Sequence, residues 1–357
     1  MALTKRAGVS DVAKHAGVSI GTVSNYLNYP ERVSETLKTK IRQSIAALGY
    51  EPRRPRAQLG NGTQTGKSEH DTLIGYVMTD IEHSLFTRIF EGIQEVCEDN
   101  CMQLIGTNAY SDHERQSELV RVFTQINVSG ILLSTVGDPS DDILLAKAAG
   151  IPIVLVDHSN PIGAESTCCV LENNIACGQI AAEELIRTGC KHIVFASHSF
   201  DYESVQERNY GAKRAVERSN ANVRFSTMDT GGILIEDGYQ FGHQLNDMPD
   251  GERPDGIIAG TDRLAGGILN AITERGELSV PNDISIIGCE GADMEAFCDK
   301  PLTTVNAPGN DMGAKAMLQI LDEIESPATH IHSTTLLDPQ LKRRNTTRPV
   351  PTHMHNA

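Results

Sequence analysis

Tryptophan is absent from the 357 residues and aromatic side chains make up only 4% of them, so no indole is available to stack on a ring-shaped ligand. No apolar run approaches the roughly 20 residues that cross a bilayer, and no membrane partner is expected. Residues Met1 to Arg6 carry neither the apolar segment nor the cleavage site of a secretory signal, and a cytoplasmic location is expected. The eight cysteines show no CxxC spacing. They read as reduced, mostly buried thiols, with no metal and no cofactor expected. Positive charge is scarce too, with 31 Lys and Arg against 47 Asp and Glu.

That scarcity is uneven. Residues 1–59 hold 10 Lys and Arg against 4 Asp and Glu, which leaves 21 against 43 for the remainder. A basic head suits phosphates, and an acidic body repels them.

The head opens on two short helices joined by a sharp turn. Asp11 to Ala16 are good helix formers, with Val12, Ala13 and Ala16 spaced along one face. Gly17 suits a left-handed helix end, and Ser19 is a preferred cap for a second helix. Val18 and Val23 can pack back on the first helix, and the small Ala13 lets the two approach closely. This order predicts a helix-turn-helix over Ser10 to Leu27, whose second helix can present its N-terminal side chains to base edges in the major groove. Ser34 can cap a third helix, in which Leu37, Ile41, Ile45 and Leu48 recur at helical spacing. Residues 1–50 are thus expected to form an all-α DNA-binding domain. Prolines then bracket a basic run within residues 51–59, and residues 60–71 are small and polar, as in a linker.

From Thr72 the pattern changes to short apolar runs alternating with amphipathic helices. Buried strands are expected at Ile74 to Met78, Gln103 to Gly106, Gly130 to Leu133, Pro152 to Val156, His192 to Ala196, Gly256 to Ala259 and Ile284 to Gly288. Helical patterns between them include Leu85 to Val96, Arg115 to Ile126, Gly178 to Ile186, Tyr210 to Val216 and Leu264 to Ile272. Such alternation predicts an α/β body of parallel sheets over residues 72–340, long enough for two lobes with ligand sites at the strand ends. Residues 341–357 lack an apolar periodicity and are expected to form a flexible tail.

With these elements in place, the chain resembles the LacI family of transcriptional regulators over about residues 8 to 340. The resemblance rests on Asp11-Val12-Ala13, Gly17-Val18-Ser19 and Thr22-Val23-Ser24, on Leu48-Gly49-Tyr50 with Pro52 and Leu59, and on Glu172-Asn173, Val280 to Gly288 and Pro301 to Val305. It implies a two-lobed, periplasmic-binding-protein-like body, a homodimer on a palindromic double-stranded operator, and a hinge helix over residues 51–59 that folds on the DNA. The positions matching the family's base readers are Ile20, Gly21 and Asn25. Gly21 offers no side chain, and Asn25 stands where Arg is frequent, so readout is expected to weigh on Ile20 and on an Asn25–adenine pairing. Ser19, Thr22, Ser24 and Asn28 are expected on phosphates. Leu59 is the expected minor-groove wedge, with Arg53, Arg54 and Arg56 near it and Pro55 unusual in the hinge.

For the body the resemblance implies a small-molecule effector between the lobes, held by Asp80, Phe86, Asp157, Arg208, Asp262 and Glu290. An arginine fork with carboxylates suits a polyhydroxylated or anionic molecule, and a carbohydrate is expected. The chain departs from the family at Glu290, at Gly231-Gly232-Ile233 and at His83-Ser84-Leu85-Phe86.

Two short matches lack their context. Gly17-Val18-Ser19-Ile20-Gly21 copies a nucleophile elbow without a preceding strand, and Gly66-Lys67-Ser68 ends a phosphate loop whose first glycine is Asn61. An enzyme is not expected, because no nucleophile, base and orienting partner can be assembled. A transporter's solute-binding protein would share the two-lobed body, but the basic head argues against it.

Overall fold

The computed structural model describes residues 9–18, 22, 23, 26, 33–48, 72–163, 166–198, 200, 202–219, 221–292 and 298–350. They fall into two compact units, one within residues 1–66 and one within 67–357.

In the first unit, helix α1 (Val9–Ala16) ends at Gly17, whose φ of 67° is the left-handed conformation a side chain would disfavour. The next amide, of Val18, donates back to the Ala13 carbonyl at 3.0 Å and closes the helix end. Thr22, Val23 and Tyr26 are helical again. Val12 and Ala13 of α1 bury themselves with Val23 and with Ile41 of helix α2 (Glu35–Leu48), and Ala16, Val18, Tyr26 and Ile45 pack around them. His15 Nδ1 lies 3.0 Å from the Ser44 hydroxyl, which itself donates to the Lys40 carbonyl. Residues 51–59 and 60–71, expected as hinge and linker, lie outside the described residues.

The second unit begins with β1 (Leu73–Met78), α3 (Ser84–Asp99), β2 (Gln103–Asn108), α4 (His113–Gln125), β3 (Gly130–Leu133), α5 (Ser140–Ala148), β4 (Ile153–Val156) and β5 (Cys168–Glu172). It continues through α6 (Asn174–Arg187), β6 (His192–Ser197), α7 (Glu203–Arg218), β7 (Arg224–Asp229), α8 (Ile235–Asp247), β8 (Gly256–Ala259) and α9 (Asp262–Arg275). Then come β9 (Ser285–Ile287), β10 (Thr304–Asn306), α10 (Gly309–Glu325), β11 (Thr334–Leu337) and β12 (Gln340–Lys342).

Two parallel sheets result, ordered β2-β1-β3-β4-β5-β11 and β7-β6-β8-β9, and each forms a lobe. Helices cover both faces, which is why runs such as Ile153–Val156 are apolar without alternation. In the first lobe α3 and α10 pack on Ile74, Tyr76, Leu132 and Val154. On its other face Val120 and Phe123 of α4 and Ile143 of α5 meet Ile131 and Leu155. In the second lobe α8 and α9 enclose Val194 and Ile257, while α6 and α7 enclose Ile193 and Phe195. The chain passes between lobes after β5, after β10 and after β11. Asn173 ties the first and third crossings, its amide donating to the Leu337 carbonyl at 2.8 Å and its side chain to Asp338 at 2.7 Å.

The expected flexible tail from residue 341 is corrected for its first half. Strand β12 pairs antiparallel with β10, and Thr346 is fully buried. The Thr346 hydroxyl donates to the Ile286 carbonyl at 2.7 Å and accepts from the Thr303 amide at 2.9 Å. Arg348 donates to the carbonyls of Pro281, Asn282 and Asp283 and to the Asp255 carboxylate. Polar groups completing the hydrogen bonds of neighbouring backbone hold this segment, so it leaves no apolar periodicity to read. Strands β5, β7, β10 and β11 also fall outside the expected set.

Candidate functional site between the lobes

Both sheets reverse their strand order at an inner strand pair, β1/β3 and β6/β8, and ligands in open α/β sheets bind outside the carboxyl ends of such strands. Around these ends lie the charged side chains of the crevice. Arg208, on α7, is buried; it donates Nε to Asn174 Oδ1 at 2.8 Å, Nη1 to the Gly260 carbonyl at 3.1 Å and Nη2 to Glu172 Oε2 at 2.9 Å. Burial alone would lower its pKa, but the Glu172 carboxylate raises it, so the guanidinium is charged at any working pH. Glu172 ends β5, and its side chain is fully buried, with Oε1 lacking a hydrogen-bond partner among the described residues.

Helix α7 reaches this place through a close crossing over α6. A Cβ on Gly211 would stand 2.0 Å from the Ile175 carbonyl oxygen, so only glycine allows the approach that sets Arg208 three residues earlier.

Asp157 follows β4 with φ of 63°, a conformation Asp tolerates better than most residues. Its amide is held by the Val170 carbonyl at 2.8 Å. Burial pushes its carboxyl up to about 7, and Glu172 adds to the shift against the opposing pull of Arg208 and His83. Tyr76, buried on β1, bonds through its hydroxyl with Ser134 at 2.9 Å.

Across the crevice, His83 Nε2 meets Glu290 Oε1 at 2.6 Å. Burial alone would raise the Glu290 carboxyl, but His83 and then Arg208 outweigh it and bring it down to about 2. Arg88 of α3 donates to the Glu290 carbonyl at 2.7 Å and to the Ala307 carbonyl at 2.8 Å, fastening the loop that carries Glu290.

Of the residues expected to hold an effector, Asp157, Arg208 and Glu290 come together here. Asp262 begins α9 just behind them, fully buried, with Oδ1 accepting from Thr304 at 2.7 Å and Oδ2 from the Ala292 amide at 2.7 Å. Burial and then Glu290 push its carboxyl up to about 7, and its amide donates to Glu290 Oε2 at 3.1 Å. Asp80 accepts from the Glu82 amide at 3.0 Å within its own turn, and Phe86 is buried in the first lobe's core with its ring 5.2 Å from that of His83. His83 and Tyr76 were not expected. His83 was legible only as a departure from a family motif, and Tyr76 reads as any apolar strand residue. Among the DNA-contact expectations, Thr22 is helical and half-exposed. Ser19, Ile20, Gly21, Ser24, Asn25, Asn28, Arg53, Arg54, Arg56 and Leu59 lie outside the described residues.

Residues 182–347 match the periplasmic binding protein-like domain, and residues 6–53 match the bacterial regulatory proteins of the lacI family. The HTH-type transcriptional repressor PurR of Mannheimia succiniciproducens is 30% identical over 320 residues, covering 89% of this chain and 92% of that protein. A LacI family transcriptional regulator from Enterococcus faecium, solved with bound ribose, superposes with a TM-score of 0.66 at 25% identity over 78% of this chain and 100% of that one. The lac repressor dimer bound to operator and the anti-inducer ONPF has the same fold, with a TM-score of 0.66 at 23% identity over 97% of this chain and 100% of that one. Such relatives are transcriptional regulators rather than enzymes, and among the described residues no helix is long and apolar enough to cross a membrane. The chain is a member of the LacI family of bacterial transcriptional regulators.

Proposed function

We propose that the protein is a repressor that grips a palindromic operator as a homodimer and changes its grip when a carbohydrate occupies the crevice between its lobes. The single observation that carries the effector assignment is the grouping of buried Glu172, Arg208 and Glu290 with half-buried Asp157 and His83 at the strand ends of both lobes. Carboxylate acceptors predominate there, and Glu172 Oε1 and His83 Nδ1 are buried without hydrogen-bond partners among the described residues. Buried polar atoms in that condition favour a ligand rich in hydroxyl groups. An anionic ligand would face three carboxylates, and ribose in the Enterococcus faecium regulator supports the neutral sugar. Asp157 and Arg208 contact the effector in this reading, Glu290 and His83 close over it, and Asp262 holds Glu290 in place.

Residues 1–50 form the DNA-binding head, and residues 51–59 the hinge. Ile20 and Asn25 read bases, Ser19, Thr22, Ser24 and Asn28 contact phosphates, and Leu59 with Arg53, Arg54 and Arg56 engages the minor groove. A thermal-shift screen with neutral sugars, nucleosides and sugar phosphates tests the effector class. A neutral sugar is expected to stabilise the protein by about 2.7 kcal/mol at a hundredfold excess over Kd, and not to stabilise Asp157→Ala. Stabilisation by nucleosides or phosphates alone would overturn the carbohydrate assignment.

A further inference from the structure

Far from the crevice, at the opposite end of β5, the first lobe gathers a set of donors that the effector reading does not use. Cys168 opens β5 and is fully buried. Its Sγ lies 3.2 Å from His330 Nε2 and 3.8 Å from His332 Nδ1, and all three atoms fall within 4.8 Å of one another. His330 and His332 precede β11, which pairs with β5 in parallel. The two imidazoles face inward, while Ile331 between them is 83% exposed.

We propose that Cys168, His330 and His332 form a binding site for a divalent cation of the zinc type, with Glu323 as the fourth donor. Zinc–sulfur and zinc–nitrogen bonds of about 2.3 and 2.0 Å in a tetrahedron place neighbouring ligand atoms about 3.3–3.6 Å apart. The observed separations of 3.2 and 3.8 Å bracket that edge. Glu323, near the end of α10, brings Oε2 to 3.8 Å from His330 Nε2, and this oxygen is buried without a hydrogen-bond partner among the described residues. The orientation of His330 is fixed from behind, because its Nδ1 lies 2.6 Å from the Asp322 carboxylate. That contact keeps the proton on Nδ1 and turns the Nε2 lone pair toward Cys168, the arrangement found behind metal-bound imidazoles. One thiolate and one carboxylate balance a divalent charge. Binding displaces the Cys168 thiol proton to solvent while both imidazoles bind neutral. Sulfur and imidazole donors exclude magnesium and calcium, which take oxygen ligands.

The test titrates the full-length, reduced and chelator-stripped protein with cobalt(II), whose tetrahedral thiolate complexes absorb visibly. One equivalent is expected to saturate a thiolate-to-cobalt charge-transfer band and intense ligand-field bands, and zinc is expected to bleach both. Cys168→Ser should abolish the charge-transfer band, and Asp322→Asn should weaken cobalt binding about 10–100-fold. The sequence His353-Met354-His355 near the end of the chain is a second place where cobalt could be caught, and a His353→Ala/His355→Ala variant should leave the charge-transfer band unchanged. No band at one equivalent, a band that survives Cys168→Ser, or a band lost with the His353 and His355 substitutions overturns the proposal. Should Cys168→Ser fail to fold, His332→Ala decides, since affinity unchanged by that substitution also overturns it.

Discussion

His83 and Glu290 meet at 2.6 Å from opposite lobes, His83 just before α3 of the first and Glu290 just after β9 of the second. The pair therefore joins the two lobes of the body. A hinge closure around a ligand draws on contacts of this kind.

The first prediction concerns pH. Burial alone would lower the His83 pKa, but Glu290 holds it above the ordinary 6.5, while Glu290 itself is held at about 2 against an ordinary 4.5. A raised histidine contributes stability that is whole below its unfolded value and fades as pH rises through the folded one. A depressed carboxylate contributes stability that is whole above its unfolded value and fades as pH falls toward about 2. The latch is thus complete between 4.5 and 6.5. Because the His83 side chain is 27% exposed, His83→Gln should cost about 1–3 kcal/mol in that window, less than for a fully buried pair. Urea denaturation of both proteins should show this gap at about pH 5.5 and a smaller one at about pH 8.5. A gap independent of pH contradicts the assignment.

The second prediction concerns the ion pair deeper in the crevice. Arg208→Met leaves the Glu172 carboxylate buried without its counter-charge, and should destabilise the protein by about 3–5 kcal/mol. Adding Glu172→Gln should recover part of that loss, measured as a coupling energy in a double-mutant cycle. Additive losses would mean that the two side chains act separately.

A third outcome follows from the helix crossing. In Gly211→Ala the new methyl would meet the Ile175 oxygen at 2.0 Å, so α7 must shift, at a cost of about 1–3 kcal/mol. Arg208 shifts with it, and calorimetric titration should show effector affinity falling while the far-UV spectrum is unchanged. Retained affinity would show that Arg208 does not position the ligand.

Legibility in the sequence followed the physics of each element. Buried parallel strands such as Gly130–Leu133 and Gly256–Ala259 announce themselves as apolar runs, and the structure has them at the expected bounds. Arg208 and Asp157 were legible only through the family resemblance, Arg208 by standing three residues before Gly211 as the family's Arg-x-x-Gly pattern does and Asp157 by matched position. The Arg208–Glu172 pair was not, since 36 residues separate its members and only the lobe arrangement joins them. Asp262 is another such case. Its negative charge beside a strand end reads like a ligand contact, whereas Thr304 and the Ala292 amide occupy both its oxygens. The Thr346 strap was illegible for the same reason, as its anchors are backbone groups.

The fourth prediction addresses the reading helix. Asn25→Ala should relax base preference at one position of each operator half-site, a loss of about 1–3 kcal/mol in discrimination there. Selection of bound sequences from a randomised half-site checks it. An unchanged preference removes Asn25 from base readout.

The central claim couples the crevice to the DNA. Fluorescence anisotropy on labelled DNA from upstream of the protein's own gene, with and without the sugar that stabilises the protein, tests it most directly. The sugar should change operator affinity about 5–150-fold in the wild type, and should leave Asp157→Ala, which still binds the operator, unchanged. Equal operator affinity with and without bound sugar, or the same change in Asp157→Ala, would contradict the account.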